Sequence, residues 1–158
     1  MSEVAIITPT YPSLAANPLR LELKTYPVQF QLPTRFSDVA HGKRIGSIGM
    51  ARYCEQARMQ LLTTLLGKER LHSGTWKAFL RQISQEMLSA ASFPETLTVG
   101  GGLRHIGNSS YSLGFGFFQG GVCVGLCDTT DVWVGDNGRP TAISDEFKNL
   151  LQKEALPL

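Results

Sequence analysis

Asp38 and His41 are the side chains with acid–base chemistry in the polar stretch "FSDVAHGKRIGS". A carboxylate or an imidazole can serve as a general base near neutral pH. The stretch runs into a helical pattern, and the first turn of a helix has backbone N–H groups without intrahelical acceptors. Gly46 and Ser47 would offer such groups to a developing oxyanion. Glu55, about two turns further along, is a third candidate base.

Each of these acids and bases also has a purely structural reading. Asp38 can cap its turn by accepting a backbone N–H, as aspartate often does. His41 can be an exposed loop histidine. Glu55 can form an ion pair at helical spacing with Arg52 or Arg58. The residues alone therefore leave the identity of a base open.

The helix that would position these groups is predicted over about residues 46–66. Its apolar residues recur at helical spacing, at Met50, Cys54, Ala57, Leu61 and Leu65. Ser47 is the expected N-cap, and Gly67 the expected stop. Apolar residues cover more than half of the later circumference, which is typical of a helix enclosed by a sheet.

The rest of the chain mostly follows strand patterns. Alternation predicts strands over residues 19–24 and 26–32, near a sheet edge because Pro27 and Pro33 lack an N–H. Residues 76–90 fit a helix or a strand. Residues 96–107 and 109–134 fit strands, with a tight turn at Gly120-Gly121. Residues 144–154 fit a short helix capped by Ser144. The order predicts an α+β fold, an antiparallel sheet wrapped around one long central helix.

Composition excludes several classes of function. The 158 residues suffice for one domain, predicted at 19–158 after an extended leader at 1–18, and a formal charge of +2 argues against nucleic-acid binding. No signal peptide or membrane span is recognised, and three cysteines in such a chain indicate a reducing, cytoplasmic setting. We predict no metal, because the three histidines lack ligand spacing, and no cofactor, because "GGG" lacks the spacing of a phosphate-binding loop.

Three motifs resemble those of the hotdog-fold acyl-CoA thioesterases of the 4-hydroxybenzoyl-CoA thioesterase-like family. The stretch "RFSDVAHGKRIGSIGMARYCEQAR" resembles the family's Asp-x-Asp-x-x-Gly-His-Val-Asn-Asn opening followed by Glu-x-Ala-Arg on the helix. "LRHIGNSSYSL" resembles its Arg-x-x-Gly-x-Ser-Ser strand junction, and "DNGRPTAISDEFKNLL" its closing turn and helix. The resemblance spans about residues 24–152 and implies the hotdog fold.

The opening motif departs from the family at its polar turn. Asp38 matches the first aspartate, but the second, which is the usual catalytic carboxylate, is replaced by Ala40. Arg44 stands where the family has histidine, and Gly46 and Ser47 stand where it has asparagines. The resemblance implies a retained helix start without the usual base.

The resemblance also implies a function and a set of binding residues. It implies hydrolysis of acyl-CoA or aroyl-CoA esters by a homodimer or homotetramer whose site lies between subunits. Arg44 and Arg104 would contact CoA phosphates or be solvated surface charges. Asn108, Ser109 and Ser110 would bind the pantetheine arm or the adjoining backbone. The alternative is a non-catalytic homologue that binds acyl thioesters or acids. The helix pattern of the hotdog hydratases, Asp-x-x-x-x-His, is absent.

Overall fold

The computed structural model of the chain describes residues 12–158. Its main feature is an antiparallel sheet of five strands in the order β1-β5-β6-β7-β4. The strands of this sheet are β1 Val28–Leu32, β4 Ala78–Met87, β5 Leu97–Ile106, β6 Ser110–Gln119 and β7 Val122–Trp133. A separate hairpin is formed by β2 Val39–His41 and β3 Arg44–Ile45.

One long helix, α1 at Ser47–Leu66, packs against one face of the sheet. Its inward residues, including Met50, Ala57, Leu61 and Leu66, are buried in the main core cluster with side chains from β5, β6 and β7. The predicted α+β architecture is therefore confirmed. The helix ends as expected at Gly67, whose φ of +80° favours glycine.

The start of α1 differs by one residue from the prediction. Gly46, in an extended conformation, is the N-cap, and Ser47 is the first helical residue with no side-chain cap. The Gly46 N–H donates to the carbonyl of Asp38 at 3.2 Å, which fixes the chain direction as it enters the helix. A backbone contact from the preceding turn thus takes the place of a hydroxyl cap.

The predicted strand at residues 19–24 is wrong. Two short 3-10 helices, Pro18–Leu21 and Leu23–Thr25, occupy the segment. The Asn17 side chain accepts the Leu19 N–H and starts the first one. The alternation misleads because Arg20, which a half-buried strand would expose, is the buried residue and pairs with Asp128 at 2.6 Å.

The two edge strands of the sheet are β1 and β4. β1 lies at one edge, as its flanking prolines predict, and pairs only with β5. The ambiguous segment contains β4, which forms the opposite edge and pairs only with β7. The Gly120-Gly121 turn joins β6 to β7 with positive φ at both glycines, as expected.

Two short helices complete the fold. These are α2 Lys68–His72 after the long helix and α3 Asp145–Gln152 near the end of the chain. The cap of α3 is the predicted Ser144, whose hydroxyl accepts the Phe147 N–H. Phe147 packs with Trp76 and Trp133, with ring centroids 4.9–5.3 Å apart, and so fixes α3 beside the end of β7.

Part of the sheet face away from α1 is covered by the segments that contain Tyr26 and Leu156. Gly100 pairs with Gly116, and Gly102 with Gly114, so that this part of the face has no side chains. A Cβ at Gly100 would lie 2.5 Å from the Tyr26 side chain, and one at Gly102 would lie 2.7 Å from Leu156. The glycines therefore make room for the two terminal segments.

The segment before β1 is hydrogen-bonded to the sheet on the face away from α1. Residues 1–11, which make up most of the predicted leader, lie outside the described part of the chain. Just after them, the Ser13 hydroxyl and the Leu14 N–H both donate to the carboxylate of Glu86 on β4. The division of the chain at residue 18 stays a prediction.

Candidate active site at the start of helix α1

The β2–β3 hairpin folds back over the first turn of α1. Gly42, with φ of +59°, makes the turn between its strands. A Cβ at Gly46 would lie 2.7 Å from Cβ of Ala40, and a Cβ at Gly49 would lie 2.7 Å from Cβ of Asp38. The glycines therefore allow the polar turn to lie directly against the helix start.

A pocket of about 310 Å³ opens at this place. It is lined by residues 37–40, residues 46–49 and Arg52. The Gly46 N–H is used by Asp38, and the first intrahelical bond is that of Met50 N–H to the Gly46 carbonyl. The N–H groups of Ser47, Ile48 and Gly49 are those that a helix start leaves for an external acceptor.

Asp38 lies in the wall of the pocket, but both of its oxygens are occupied. Its Oδ2 accepts from Arg35 Nε at 2.8 Å and its Oδ1 from Arg52 Nη1 at 2.9 Å. Burial would raise the pKa of this carboxyl, but hydrogen bonds from Arg52, Tyr53 and Arg35 outweigh it and hold the pKa below its ordinary value. A carboxylate stabilised in this way is a weak base.

Glu55 is also paired through both oxygens. Arg58 donates from Nε to Oε2 at 2.9 Å and from Nη2 to Oε1 at 2.6 Å. The same guanidinium donates from Nη1 to the buried Asp131 on β7 at 2.8 Å. The structure therefore shows Glu55 in an ion pair of helical spacing with Arg58, whereas Arg52 pairs with Asp38.

His41 and Arg44 lie together on the hairpin beside the pocket. They face each other across the Gly42 turn, and both are exposed. Neither belongs to the pocket wall. His41 forms no ion pair with the carboxylates of residues 12–158.

Arg104 lies on the other side of the sheet. With Asp128 it lines a larger, open depression of about 870 Å³ on the face away from α1. Its guanidinium pairs with Asp128, which also binds the buried Arg20. In one protomer, Arg104 is therefore separated by the sheet from the helix start.

The predicted pantetheine contacts lie at the far end of the sheet. The Ser109 carbonyl accepts the Trp133 N–H at the end of β7, and Asn108 and Ser110 flank it at the β5–β6 turn. A Cβ at Gly125, near the start of β7, would lie 3.3 Å from the Met50 side chain in the first turn of α1. Trp133 lies eight residues after Gly125 on β7, so Ser109 and the start of α1 are about 26 Å apart along the sheet.

Of the predicted site residues, one protomer thus brings together Asp38, Gly46 and Ser47, with His41 and Arg44 next to them. The sequence analysis missed Arg35 and Arg52 as partners of Asp38. Arg35 lies three residues away, a spacing that could have suggested a local ion pair. Arg52 is fourteen residues away and carries no such signal.

The arrangement can bind a carbonyl oxygen, and within residues 12–158 the two acids predicted as bases, Asp38 and Glu55, are both paired with arginine. Three backbone donors and the positive end of a helix of 20 residues meet in one small pocket. Both nearby acids are neutralised by arginine. Such a site is suited to binding a polarised carbonyl or an anion.

Solved structures with this fold are thioesterases and related proteins. The PA5185 protein from Pseudomonas aeruginosa is 19% identical, with a TM-score of 0.75 over 85% of this chain and 96% of that one. A thioesterase from Thermus thermophilus in complex with coenzyme A and Zn is 18% identical, with a TM-score of 0.72 over 82% and 95%. The gentisyl-coenzyme A thioesterase BH1999 is 13% identical, with a TM-score of 0.68 over 79% and 99%.

The chain therefore has the hotdog fold of thioesterase-superfamily structures, as the three motifs predict. No family model matches the sequence, and no curated protein matches it. At identities of 13–19%, the similarity establishes the fold. A function has to be argued from the geometry of the site.

The described residues contain neither a candidate metal site nor a membrane-spanning helix. Within residues 12–158, no three histidine, cysteine or acidic side chains come together as a group that could hold a metal ion. None of the described helices combines the length and hydrophobicity that a membrane crossing requires. The three cysteines are free thiols.

Proposed function

We propose that the protein hydrolyses acyl-CoA or aroyl-CoA thioesters at the start of α1. The proposal rests on the pocket at the helix start, which Ser47, Ile48 and Gly49 line and in which their N–H groups have no intrahelical acceptor. A thioester carbonyl placed there would develop its negative charge against these donors and the helix dipole. Similar solved structures bind coenzyme A or are named for a CoA thioester.

The rate should be low, because the pocket lacks a free base. A positioned base contributes about 10²–10⁴ to a rate, and an oxyanion donor about 10²–10³. With Ala40 in place of the usual carboxylate and Asp38 held between two arginines, the first contribution is largely missing. His41 is the remaining candidate to accept a proton from water, because no ion pair occupies it.

We further propose that two copies pair through β4. Among residues 12–158 this strand of ten residues has no strand on its outer edge, and it exposes Phe79, Ile83 and Met87. Long apolar edges are normally covered, and a second copy covers both edges at once. Pairing of the two strands would extend the sheet across the dimer.

An antiparallel two-fold pairing would also complete the site. The start of α1 lies beside the second half of β4, where Gln85 Nε2 donates to the Ser47 carbonyl at 3.1 Å. The first half of β4 lies beside Trp133 and, through it, Ser109. Antiparallel pairing places the first half of one β4 opposite the second half of the other, so Asn108, Ser109 and Ser110 of the partner subunit would approach this helix start.

A non-catalytic thioester-binding protein is the second candidate. It is favoured by the occupation of both oxygens of Asp38 and of both oxygens of Glu55. Such a protein would use the same pocket and donors. The two candidates differ only in whether bound thioester is hydrolysed.

Purified protein would be assayed against a panel of acyl- and aroyl-CoA esters, with Asp38→Asn, His41→Ala and Glu55→Gln alongside. The hydrolase proposal expects turnover above the uncatalysed rate and a loss in His41→Ala that stays below the factor of about 10² contributed by a well-positioned base. Micromolar binding of an ester without turnover would reject hydrolysis and leave the binding protein. Unchanged turnover in all three variants would reject our choice of base.

We place the activity in the reducing cytoplasm. The free thiols of Cys54 and Cys127 lie buried in the core and fit a compartment without oxidative pairing.

A further inference from the structure

Gln85 is a side chain of the sheet that contacts the backbone of the candidate site. It lies on β4, and its amide nitrogen Nε2 donates to the carbonyl oxygen of Ser47 at 3.1 Å. Ser47 is the first residue of α1, so this carbonyl belongs to the first helical turn. The hydrogen bond therefore joins β4 directly to the part of the helix that lines the pocket.

The other end of the Gln85 amide is also held by α1. The Cys54 thiol donates to Oε1 of Gln85, with 3.8 Å between the sulfur and the oxygen. Cys54 is buried and lies about two turns after Ser47 on the helix. A backbone carbonyl only accepts hydrogen bonds, so the amide nitrogen of Gln85 has to face Ser47 and the amide oxygen has to face the thiol. Together the two contacts fix the orientation of the amide.

The Ser47 carbonyl and the Ile48 N–H belong to the same peptide group. This group is planar, and in its trans form the carbonyl and the N–H point in opposite directions. The carbonyls of a helix point towards its C-terminus, so the Ile48 N–H points out of the helix start, where Ile48 lines the pocket. A contact that holds the Ser47 carbonyl thus also holds the direction of the Ile48 N–H.

The hydrogen bond from Gln85 also changes the charge distribution of that peptide group. A donor at the carbonyl oxygen makes the N–H of the same group a stronger donor, and such coupling strengthens a bond in a chain by about 10–30%. The Ile48 N–H is one of the three groups that the proposed hydrolysis places against the thioester oxygen. Gln85 would therefore act on the developing oxyanion through the peptide group, without touching the substrate.

We propose that Gln85 is a positioning residue of the thioester site, which orients and polarises the Ile48 N–H through the Ser47 carbonyl. The inference rests on the proposed function, because this N–H matters only where it meets a thioester carbonyl. Gln85 itself accepts no proton and forms no bond with the substrate. Its role is to make the edge strand a support for a pocket that the polar turn and the helix line.

The place of Gln85 on β4 also connects the site to the proposed dimer. Its side chain is exposed in the single chain, so water competes for both ends of the amide. Pairing of two β4 strands would cover the amide, and a hydrogen bond is electrostatically stronger away from water. Formation of the dimer would therefore strengthen the Ile48 donor in each copy.

The first test replaces Gln85 by methionine, which keeps the length of the side chain and removes the donor. In Gln85→Met, kcat for the CoA ester that is hydrolysed fastest should fall by about threefold to tenfold, because the Ile48 N–H is weakened but retained; loss of a whole oxyanion donor costs about 10²–10³. KM should change by less than about twofold, since the lost interaction is one that strengthens in the transition state.

The matched control is Gln82→Met. Gln82 lies three residues earlier on β4 and lines the depression on the face away from α1. The same chemical change on the same strand should leave kcat within about twofold of wild type, because Gln82 does not reach the peptide group that carries the donor. Equal losses of kcat in Gln82→Met and Gln85→Met would overturn the positioning role.

Gln85→Glu adds a readout that a purely structural role would not change. Above the ordinary glutamate pKa of about 4.3 its carboxylate repels the Ser47 carbonyl, and below that pKa its carboxyl group donates to the same carbonyl. The ratio of kcat in Gln85→Glu to kcat in Gln85→Met should be below one at pH 7 and rise above one towards pH 4. Asp38 and His41 are present in both variants, so their titration cancels in the ratio. A ratio that stays constant over this range would overturn the proposal.

Vibrational spectroscopy tests the same role without hydrolysis. Raman difference spectra of a bound CoA ester with an isotope label in its thioester carbonyl report how strongly the site polarises that bond. The carbonyl stretch should lie at lower frequency on wild type than in solution, and it should return part of the way in Gln85→Met. In Gln82→Met it should stay at the wild-type frequency.

These outcomes separate the role of Gln85 from the proposed function. If CoA esters are bound but not hydrolysed, the hydrolase is lost, and a carbonyl frequency that differs between wild type and Gln85→Met still supports the role of Gln85. If esters are hydrolysed and Gln85→Met keeps the wild-type kcat and carbonyl frequency, the role of Gln85 alone is overturned. If no ester is bound, both are overturned.

Discussion

The Asp38 carboxylate is shared by two guanidinium groups, one on each oxygen. Arg35 and Arg52 come from the turn and from the helix, so the buried acid joins the two elements that form the pocket. An acid in this position is stabilised in its charged form. Its main effect should therefore be on the stability of the helix start.

Asp38→Asn should lower the free energy of unfolding by about 1–3 kcal/mol at pH 7, a value reduced from that of a fully buried pair because both arginines are partly exposed. The pKa of Asp38 is lowered in the folded protein, so its contribution is complete above the unfolded pKa of about 3.9 and is lost as the pH falls through the folded pKa. Urea titrations from pH 7 to pH 3 should show the two proteins converging at the acid end.

The matched control for Asp38→Asn is Asp136→Asn. Asp136 pairs with Lys77 at an exposed site, and its pKa is also lowered, chiefly by the hydrogen bond from Lys77. This variant should have little effect on stability at any pH, because solvent screens the pair. A difference between wild type and Asp38→Asn that stays constant down to pH 3 would contradict an ionic role for Asp38.

At the scale of elements, the approach of helix α1 to the polar turn depends on Gly49. A Cβ there would lie 2.7 Å from Cβ of Asp38 and 2.9 Å from its carbonyl oxygen. Backbone cannot move aside as a flexible side chain can, so the helix start would have to shift. The positions of the free N–H groups would shift with it.

Gly49→Ala should destabilise the protein by about 1–3 kcal/mol, although alanine is intrinsically the better helix former by about 1 kcal/mol. Denaturation of this variant would be compared with that of Gln56→Ala, at an exposed position of the same helix, which should be neutral or slightly stabilising. A stability gain in Gly49→Ala would show that the turn and the helix are not in close contact.

Local patterns predict those elements whose causes are local. Helix α1, the Gly120-Gly121 turn and the Ser144 cap of α3 were all predictable from periodicity, backbone freedom and capping. The segment before β1 was not, because Arg20 is buried by an ion pair with Asp128, which lies 108 residues further along. The alternation of apolar and polar residues at 19–24 cannot reveal an ion-pair partner so far along the chain.

The candidate site likewise has features that could be predicted from the sequence and features that could not. The helix start and the replacement at Ala40 are readable in the sequence, since both follow from adjacent residues and from the motif around them. The pairing of Glu55 with Arg58 was one of two alternatives that helical spacing offered. The state of Asp38 was not readable, because it depends on where Arg52 points. In the proposed dimer, the positions of Asn108, Ser109 and Ser110 relative to the helix start would depend on how the two copies pair.

At the scale of the whole molecule, the proposed dimer depends on the outer edge of β4. Ile83, near the middle of this edge, is 41% exposed in the single chain. In a two-fold pairing of β4, the two copies of the strand centre would meet. A charge placed there would face its own copy.

Ile83→Glu should convert a dimer into a monomer and lower hydrolysis of CoA esters by about tenfold or more. The physical reason is repulsion of like charges across the two-fold axis together with the loss of apolar contact area. Light scattering after gel filtration would report the mass, with Val122→Glu at the exposed β6–β7 hairpin as a control that should stay dimeric. A dimeric Ile83→Glu protein with full activity would exclude pairing through β4.

We propose that the start of α1 is an intact thioester site that lacks only its carboxylate. This is tested by the ratio of kcat/KM for CoA-ester hydrolysis between Ala40→Asp and Ala40→Asn, because Ala40 is exposed and lines the pocket. We predict a ratio of about 10²–10⁴, the usual contribution of a positioned base, in two variants of nearly the same shape. Equal values of kcat/KM in the two variants, with neither above the uncatalysed rate, would contradict it.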